Sequence, residues 1–386
     1  MAEPSSAALA QQKTSRLQAV DALRGLVMVL MALDHANLFV AHKHSPGEYY
    51  GGAFPAWYDP LAFVTRLLTH PAAPGFFLLL GAGMVLFAHS RRKRGWSEGQ
   101  IVRHLWIRGA LLLALQLLLV NRAWEMSPGG WGIRIYIGVL FAQGLAMIVG
   151  TLFLRLKPNH LLILAAVLLV GTELLVPPPS AWGPMPRENL ADWLNPVLLV
   201  PGGFPPDLWS NYPMLPWLEL VVFGMALANW LLQDAQRALD RAWKLGVAFL
   251  VAFVVLRYLD GFGNIRPRMG NRWIDYLNVV KYPPSITFTL LTTGVNLLLL
   301  GVFGRLAGKA KALPGLLAVF GRAPLFFYVS HLFLYVVLGR LLAPNGTSIA
   351  AMYPSWLLGL AILFPLSWWY GQLKQRQPAE SVLHYF

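Results

Sequence analysis

Long apolar stretches recur along almost the whole chain and are separated by short polar segments. A membrane-spanning helix needs roughly 20 mostly apolar residues, and none of the stretches shows the strict alternation that is typical of a strand. The ten stretches cover about 20–41, 73–90, 105–121, 133–154, 161–177, 212–232, 243–259, 285–304, 322–342 and 355–373. We therefore predict an all-α fold, a polytopic membrane helix bundle of about ten transmembrane helices.

The composition agrees with this prediction and excludes several kinds of chemistry. Hydrophobic residues make up 56% of the chain and charged residues only 12%, whereas a soluble domain usually has about 25% charged residues. The chain has no cysteine, so thiol nucleophiles, disulfides and Cys-ligated zinc are excluded. A phosphate-binding glycine loop, an HExxH motif and a GxSxG motif are also absent from the sequence, which removes the usual signatures of ATP-driven transport and serine hydrolysis.

The formal net charge of +14 is large for so apolar a chain. On a soluble protein it would suggest a nucleic-acid partner, but here it is typical of cationic loops that face the cytoplasm. Placing the N-terminus in the cytoplasm assigns most of the 31 Lys and Arg residues to that side, so we predict that both termini are cytoplasmic and that no nucleic acid is bound. The basic loop 257–284 is assigned to the opposite, outer side of the membrane, against this charge pattern. It is either a tolerated exception or an anion-binding surface.

The first span carries ionisable residues, which are costly inside a membrane and are commonly functional. Arg24 and His35 are eleven residues apart, so both point from one helix face, about 16 Å apart along the axis. A long substrate with an anionic head and a reactive tail could lie between them. Asp21 is positioned to pair with Arg24, and Asp34 directly precedes His35. The alternative is a snorkelling arginine and a histidine at the membrane boundary.

A second polar cluster precedes the second span. If residues 60–70 are helical, Arg66 and His70 share a face at i,i+4, with Asp59 just before them. This segment is predicted to be a short amphipathic helix at the outer surface. The alternative is that His70 only caps a helix or lines the interface.

Three further positions contribute candidates for a site. His331 lies mid-span among hydroxyl-bearing residues, so it is either a ligand or relay group or a structural histidine. Tyr212 and Trp217 begin span six, and Lys281 and Tyr282 precede span eight. Such entries are ordinary interface anchors, and here they are also candidate binding residues. Because no further ligands converge on the histidines of the loop after span one, we predict no metal.

Five strings resemble the heparan-alpha-glucosaminide N-acetyltransferase-like bacterial membrane proteins. They occur in the expected order and together extend over most of residues 16–373. They are DALRGLVMVLMALDH, TRLLTHPAAPGFFLLLGAG, YPMLPWLELVVFGMALAN, KYPPSITFTLLTTG and GRAPLFFYVSHLFLY. The family is part of a wider transmembrane acyltransferase superfamily whose first span carries Arg, ten residues and then His. Arg24 and His35 match that spacing.

The resemblance implies that an acyl group, typically acetyl, passes from cytoplasmic acyl-CoA to an acceptor sugar across the membrane. His35 takes the catalytic position of the superfamily spacing. The animal lysosomal enzyme of the family has Asn there and its catalytic His in the following loop, and it has Asp where His70 stands. Which histidine acts is therefore open, and heparan-type sugars are not implied, since bacteria generally lack them.

The chemistry of the residues agrees with this implied reaction. Acyl transfer needs a base that works near pH 7, and imidazole is suited to that role. Asp34 or Asp59 could orient it, as the third group does in a triad. An acyl-histidine and direct attack both stay open. The candidate catalytic residues are His35, His70 and Asp34. The candidate substrate- and CoA-binding residues are Arg24, Asp21, Arg66, Asp59, Tyr212, Trp217, Lys281, Tyr282 and His331.

The predicted organisation has three parts: a disordered cytoplasmic tail at 1–15, a transmembrane acyltransferase domain at 16–376 and a cytoplasmic tail at 377–386. We expect a multi-pass protein of the bacterial inner membrane. It would use acetyl-CoA as acyl donor and a sugar or other polar acceptor, with a homo-oligomer left open. The alternative is a transporter or carrier of a polar or lipid-linked substrate.

If the acyltransferase hypothesis is right, the polar groups of the spans should meet. We expect Arg24, His35, His70 and His331 to face one shared cavity.

Overall fold

The computed structural model describes residues 6–45, 47–306, 312–377 and 381, and these form a bundle of helices. The helices are α1 Ser6–Ala36, α2 Pro60–Thr69, α3 Ala72–Arg92, α4 Glu98–Leu115, α5 Asn121–Glu125, α6 Val139–Gly150, α7 Pro158–Leu175, α8 Leu190–Leu198, α9 Met214–Gln233, α10 Ala235–Leu259, α11 Trp273–Leu277, α12 Ile286–Leu306, α13 Ala312–Arg322, α14 Pro324–Leu342 and α15 Ile349–Gln375. The predicted all-α, polytopic membrane fold is confirmed.

Only three short strands interrupt the described helices. They are β1 Ile135–Ile137, β2 Gly202–Phe204 and β3 Leu208–Ser210, which form one sheet in the order β1-β3-β2. β1 runs parallel to β3, and β2 runs antiparallel to it. The sheet ties the loop before α6 to the long loop before α9.

The number of long spans differs from the sequence prediction by one. Within the described ranges, nine helices are long and apolar enough to cross a membrane. The predicted span at 133–154 is the exception, because its first residues form β1 and its helical part is only Val139–Phe153. Pairing of β1 with β3 therefore shortened a stretch that hydropathy alone predicted to be a full span.

The two ends of the bundle can be told apart by one cavity. Arg24 of α1 and Lys374 of α15 both line it, so the beginning of the first span and the end of the last lie together. We call this the inner end, and the opposite end, with Glu48, the outer end. The common side of these helix ends agrees with the predicted common side of both termini, whose cytoplasmic location stays a prediction from the charge pattern.

Part of each predicted tail lies outside the described residues. Helix α1 already begins at Ser6, inside the predicted disordered segment 1–15, while residues 1–5 lie outside the described residues. Most of the predicted tail at 377–386 also lies outside them.

Helix α2 is the predicted short amphipathic helix at the outer end. It buries Phe63, Thr65 and Arg66 against the bundle. Its other face exposes Leu61 and Leu68. The helix therefore has a buried cation, Arg66, on its inner face and exposed leucines on its outer face.

Backbone contacts between small residues set the closest helix packing. A Cβ on Gly81 would lie 1.8 Å from the carbonyl oxygen of Val221, and one on Gly224 would lie 2.0 Å from that of Leu78, so α3 and α9 touch at both positions. Such close approach is typical of glycine at membrane helix interfaces. Gly83 of α3 differs from these two glycines, because nothing lies within 4 Å of its Cβ position. It lines the inner cavity instead.

The basic loop 257–284 uses its cations within the protein. Arg257 is buried and donates to the carbonyl oxygens of Asp275, Tyr276 and Asn278 at 2.9, 2.9 and 2.6 Å. Arg272 pairs with Asp275 at 3.2 Å. Of the two interpretations left open by the sequence, these contacts favour the tolerated exception over an anion-binding surface, because the cations bind protein groups.

We expect Gly81→Ala to destabilise the protein by roughly 1–3 kcal/mol, because the new methyl group must push α3 and α9 apart. Thermal unfolding in detergent micelles would show a lower melting temperature. Gly171→Ala in α7 is the matched control, since nothing lies within 4 Å of its Cβ position, and it should leave the melting temperature unchanged or higher. Equal melting temperatures for both variants would be evidence against the close α3–α9 contact.

Candidate active site

Two buried imidazoles meet inside the bundle. His35 Nδ1 of α1 lies 2.6 Å from His331 Nε2 of α14. The second ring nitrogen of His331, Nδ1, lies 2.9 Å from the carbonyl oxygen of Phe327. Directly after His35, α1 passes into a π-helical turn, Asn37–Ala41, a feature that is frequent at functional sites. The edge of the Trp124 ring packs on His35, with ring centroids 5.8 Å apart.

The charged groups nearby form a separate network around Arg66. The guanidinium donates to both carboxylate oxygens of Glu48, at 2.8 and 2.5 Å, and to Asp34 Oδ1 at 2.5 Å. Thr69 also donates to Asp34 Oδ1, at 2.9 Å, and His44 Nε2 lies 3.3 Å from Asp34 Oδ2. Asp34 therefore binds Arg66, Thr69 and His44, and the side chain that hydrogen-bonds His35 is His331.

His70 belongs to this network and not to the histidine pair. Its Nε2 lies 3.7 Å from Glu48 Oε1, and its Nδ1 has no hydrogen-bond partner among the described residues. The ring packs edge-on against Phe288, with centroids 5.6 Å apart. The two candidate catalytic histidines thus lie in different environments. His35 is paired with another imidazole, and His70 lies beside a carboxylate.

Glu48 is the network residue that the sequence analysis missed. It is 1% exposed and makes a bidentate pair with Arg66. A signal for it exists, because a buried arginine needs a carboxylate partner and Glu48 is the only acidic residue between Asp34 and Asp59.

Lys281 and Tyr282 join the network through the backbone. Both of their N–H groups donate to the carbonyl oxygen of Glu48, at 3.0 Å each. Burial and the Arg66 guanidinium lower the pKa of Lys281 to about 8. Burial would raise the pKa of the Glu48 carboxyl, but the Arg66 guanidinium outweighs it and lowers that pKa from 4.5 to about 2. Glu48 therefore stays ionised at every physiological pH.

Tyr212 and Trp217 lie in the core. Trp217 is fully buried and packs on Phe77 and Tyr212, with ring centroids 5.0 and 4.8 Å away. The Tyr212 hydroxyl is 3.4 Å from that of Tyr282. These aromatic residues contact the network through Tyr282. Because they are buried, they are not interface anchors in contact with lipid.

A cavity of about 280 Å³ opens at the inner end, and its polar lining is cationic. Four basic side chains line it: Arg24, Arg108, Arg322 and Lys374. Arg24 also donates to Asp21 at 2.8 Å, the pairing that the spacing predicts, and to the carbonyl oxygen of Gly321 at 3.0 Å. In the sequence, Arg108, Arg322 and Lys374 belong to the many cations assigned to the predicted cytoplasmic side. Their position within or at the edge of spans, and not mid-loop, was the available clue.

The cavity extends from these cations toward the histidine pair. Met28, which lines it, precedes His35 by seven residues, about 10 Å along α1 and on the same face. Tyr328 also lines it and packs edge-on against His331, with ring centroids 5.7 Å apart. One aromatic side chain therefore lies between the described cavity and the paired imidazoles.

The expectation that Arg24, His35, His70 and His331 face one shared cavity is not met among the described residues. Arg24 lines the cavity, but its described lining does not include His35, His70 or His331. His331 adjoins it through Tyr328 and joins His35 to it, whereas His70 lies with Glu48.

Asp59 lies apart from both histidine candidates. Its carboxylate is exposed and accepts a hydrogen bond from the backbone N–H of Leu61 at 2.9 Å, capping α2. This is a helix-capping contact of the ordinary kind. No cluster of three His, Asp or Glu residues in the described part of the chain could hold a metal ion.

We expect Glu48→Gln to lower stability at pH 7 by about 3–5 kcal/mol, because it removes one carboxylate from a buried arginine. The pKa of Glu48 is lower in the folded protein than its ordinary value, so its ionised form stabilises the fold above about pH 4.5. That stabilisation is lost as the pH falls toward 2. Melting temperatures in detergent from pH 7 down to 3 should therefore decline more steeply for the wild type than for Glu48→Gln.

The control for this experiment is Glu188→Gln, which changes an exposed carboxylate of the outer loop. It should follow the wild type at every pH. If Glu48→Gln also follows the wild type, Glu48 does not stabilise the fold through Arg66.

The sequence matches the model of one known protein family. The model of the catalytic region of heparan-alpha-glucosaminide N-acetyltransferase matches residues 16–258. The match includes Arg24, His35, Asp34, Glu48 and Arg66, while Lys281, Tyr282 and His331 lie beyond it. No curated protein matched the sequence. Because the matched region is more than half of the chain, this protein belongs to the heparan-alpha-glucosaminide N-acetyltransferase-like family of membrane acetyltransferases.

Proposed function

We propose that this protein is an acyl-CoA-dependent transmembrane acyltransferase that acts across a bacterial inner membrane. It moves an acyl group, acetyl in the reaction of its family, from cytoplasmic acyl-CoA to a glycan or other polar acceptor on the outer side. The observation that carries this proposal is the cationic cavity at the inner end, which extends along α1 toward His35.

The cavity suits an acyl-CoA in both charge and shape. CoA has a phosphorylated head and a long, narrow arm that ends in a thioester. Guanidinium and ammonium groups bind phosphate, and Arg108, Arg322 and Lys374 offer three of them in the cavity lining. The walls beyond are apolar and include Met28 and Phe76, which suits the arm. A donor in this position directs its thioester toward His35.

His35 is the favoured catalytic residue because it is bonded to His331, which packs on the cavity-lining Tyr328. As a base, its imidazole takes the proton of the acceptor O–H or N–H while the acceptor's lone pair attacks the thioester carbonyl. The C–S bond then breaks and the CoA thiolate leaves. As an acyl carrier, the same nitrogen attacks the carbonyl first and the acceptor attacks second. His70 is the alternative base, and its partner Glu48 lies 3.7 Å away.

The first test is acyl transfer itself. Purified protein in lipid vesicles, given acetyl-CoA with a labelled acetyl group, is expected to release CoA and to transfer or hydrolyse the label. His35→Ala should lower this turnover by about 10²–10⁴-fold, the usual contribution of a general base. His160→Ala changes an exposed histidine and serves as the control.

Two results would redirect the hypothesis. Unchanged turnover in His35→Ala together with a loss in His70→Ala would make His70 the catalytic residue. Absence of any acyl-CoA binding by the wild type would favour a transporter or carrier.

The second test concerns the donor site. Arg108→Gln is expected to raise the KM for acetyl-CoA by roughly 10- to 150-fold with little change in kcat, because a charge-assisted phosphate contact is worth about 1.5–3 kcal/mol in binding. Arg103→Gln makes the same change in charge on an exposed position of the same helix. It should leave the KM unchanged, and a KM raised equally in both variants would point to a general surface-charge effect in place of a phosphate site.

A further inference from the structure

We propose that His331 is a positioning residue that holds the His35 imidazole in one tautomer, with Nδ1 protonated and Nε2 free. Nε2 of His35 is then the atom that takes the acceptor's proton or the acyl group. The catalytic consequence rests on the proposed function, whereas the tautomer itself does not.

The protonation state of His331 is set by its contact with Phe327. Its Nδ1 lies 2.9 Å from the carbonyl oxygen of Phe327. A carbonyl oxygen can only accept, so this nitrogen must carry the proton. A neutral imidazole has one protonated nitrogen, and therefore Nε2 of His331 has a free lone pair.

The lone pair on His331 Nε2 determines which nitrogen of His35 carries the proton. His331 Nε2 can only accept in this state, so the 2.6 Å contact requires a proton on His35 Nδ1. His35 Nε2 is then unprotonated. No described protein group forms a hydrogen bond with it.

The surroundings of His331 hold the ring in this orientation. The Phe327 ring stacks on it, with centroids 5.4 Å apart and planes inclined by 16°. Tyr328 and Tyr335 pack edge-on, with centroids at 5.7 and 6.4 Å. A ring packed on three sides and bonded at Nδ1 cannot rotate to present another atom to His35.

The geometry gives His331 a different role from the substrate contact predicted from the sequence. The residue is fully buried, and both of its ring nitrogens are engaged by protein atoms. No nitrogen is left for a ligand. It acts on the substrate only through His35, as the third residue of a triad acts through its histidine.

The pair also accommodates the charge that forms during catalysis. When His35 Nε2 takes a proton, Nδ1–H stays bonded to His331 and the hydrogen bond becomes charge-assisted, hence stronger. Moving the proton onto His331 Nε2 instead would require His35 to release it from Nδ1. His331 thus acts as a neutral counterpart of the aspartate that orients histidine in a triad.

The test compares two substitutions at His331. A Gln side chain offers an amide oxygen that can accept from His35 Nδ1, whereas Leu has a similar size but no acceptor. In full-length protein with ¹⁵N-labelled histidine rings, the His35 signals are identified by their loss in His35→Ala. The wild type and His331→Gln should show Nδ1 protonated and Nε2 unprotonated, and His331→Leu should show a mixture of tautomers.

Kinetics should follow the spectra. His331→Leu is expected to lower kcat roughly 10- to 100-fold, as loss of a group that orients a functional histidine does, with the KM for acetyl-CoA unchanged. His331→Gln should recover most of kcat. A purely structural role would not restore both the tautomer and kcat in the Gln variant alone.

Two outcomes would overturn the inference. One is a wild-type His35 protonated at Nε2, which can be read even if the Leu variant does not fold. The other is a His331→Leu variant that keeps the wild-type tautomer and kcat. A wild type that shows the expected tautomer but transfers no acyl group would refute the proposed function and leave the tautomer assignment standing.

Discussion

The burial of one guanidinium, that of Arg66, constrains the outer half of this protein. A buried charge is tolerated only when its partners and hydrogen bonds are complete, and Arg66 achieves this with Asp34 on α1 and Glu48 in the following loop. Glu48 in turn anchors the chain ahead of α12, because its carbonyl oxygen accepts from the backbone of Lys281 and Tyr282. Four segments of the chain are thereby held around one cation.

This network also determines what His35 can do. Both oxygens of Asp34 are engaged by the Arg66 cluster, so the adjacent carboxylate is not available to orient the imidazole. A neutral partner, His331, occupies that place. The result is a division between a charged, rigid cluster and a neutral pair that can change its proton count without breaking an ion pair.

The cations of the chain serve three different purposes. Arg257, near the end of α10, holds the following loop through three carbonyl oxygens. Arg66 is a structural centre. The group at the inner cavity, which includes Arg108 and Lys374, lines a space that an anion could enter. Each of these side chains adds the same charge to the sequence, so the role of each cation depends on where the fold places it.

The sequence by itself determined whatever depends on local periodicity. Hydropathy over about 20 residues indicated nearly every span, and helical spacing correctly predicted the Asp21–Arg24 pair and the amphipathic helix α2. It could not indicate contacts between distant segments. His35 and His331 are 296 residues apart in the chain, and the stretch at 133–154 lost part of its helix to pairing with β3. Those features were decided by the tertiary structure, because hydrogen bonds and ion pairs between segments depend on how helices pack and not on the spacing within any one of them.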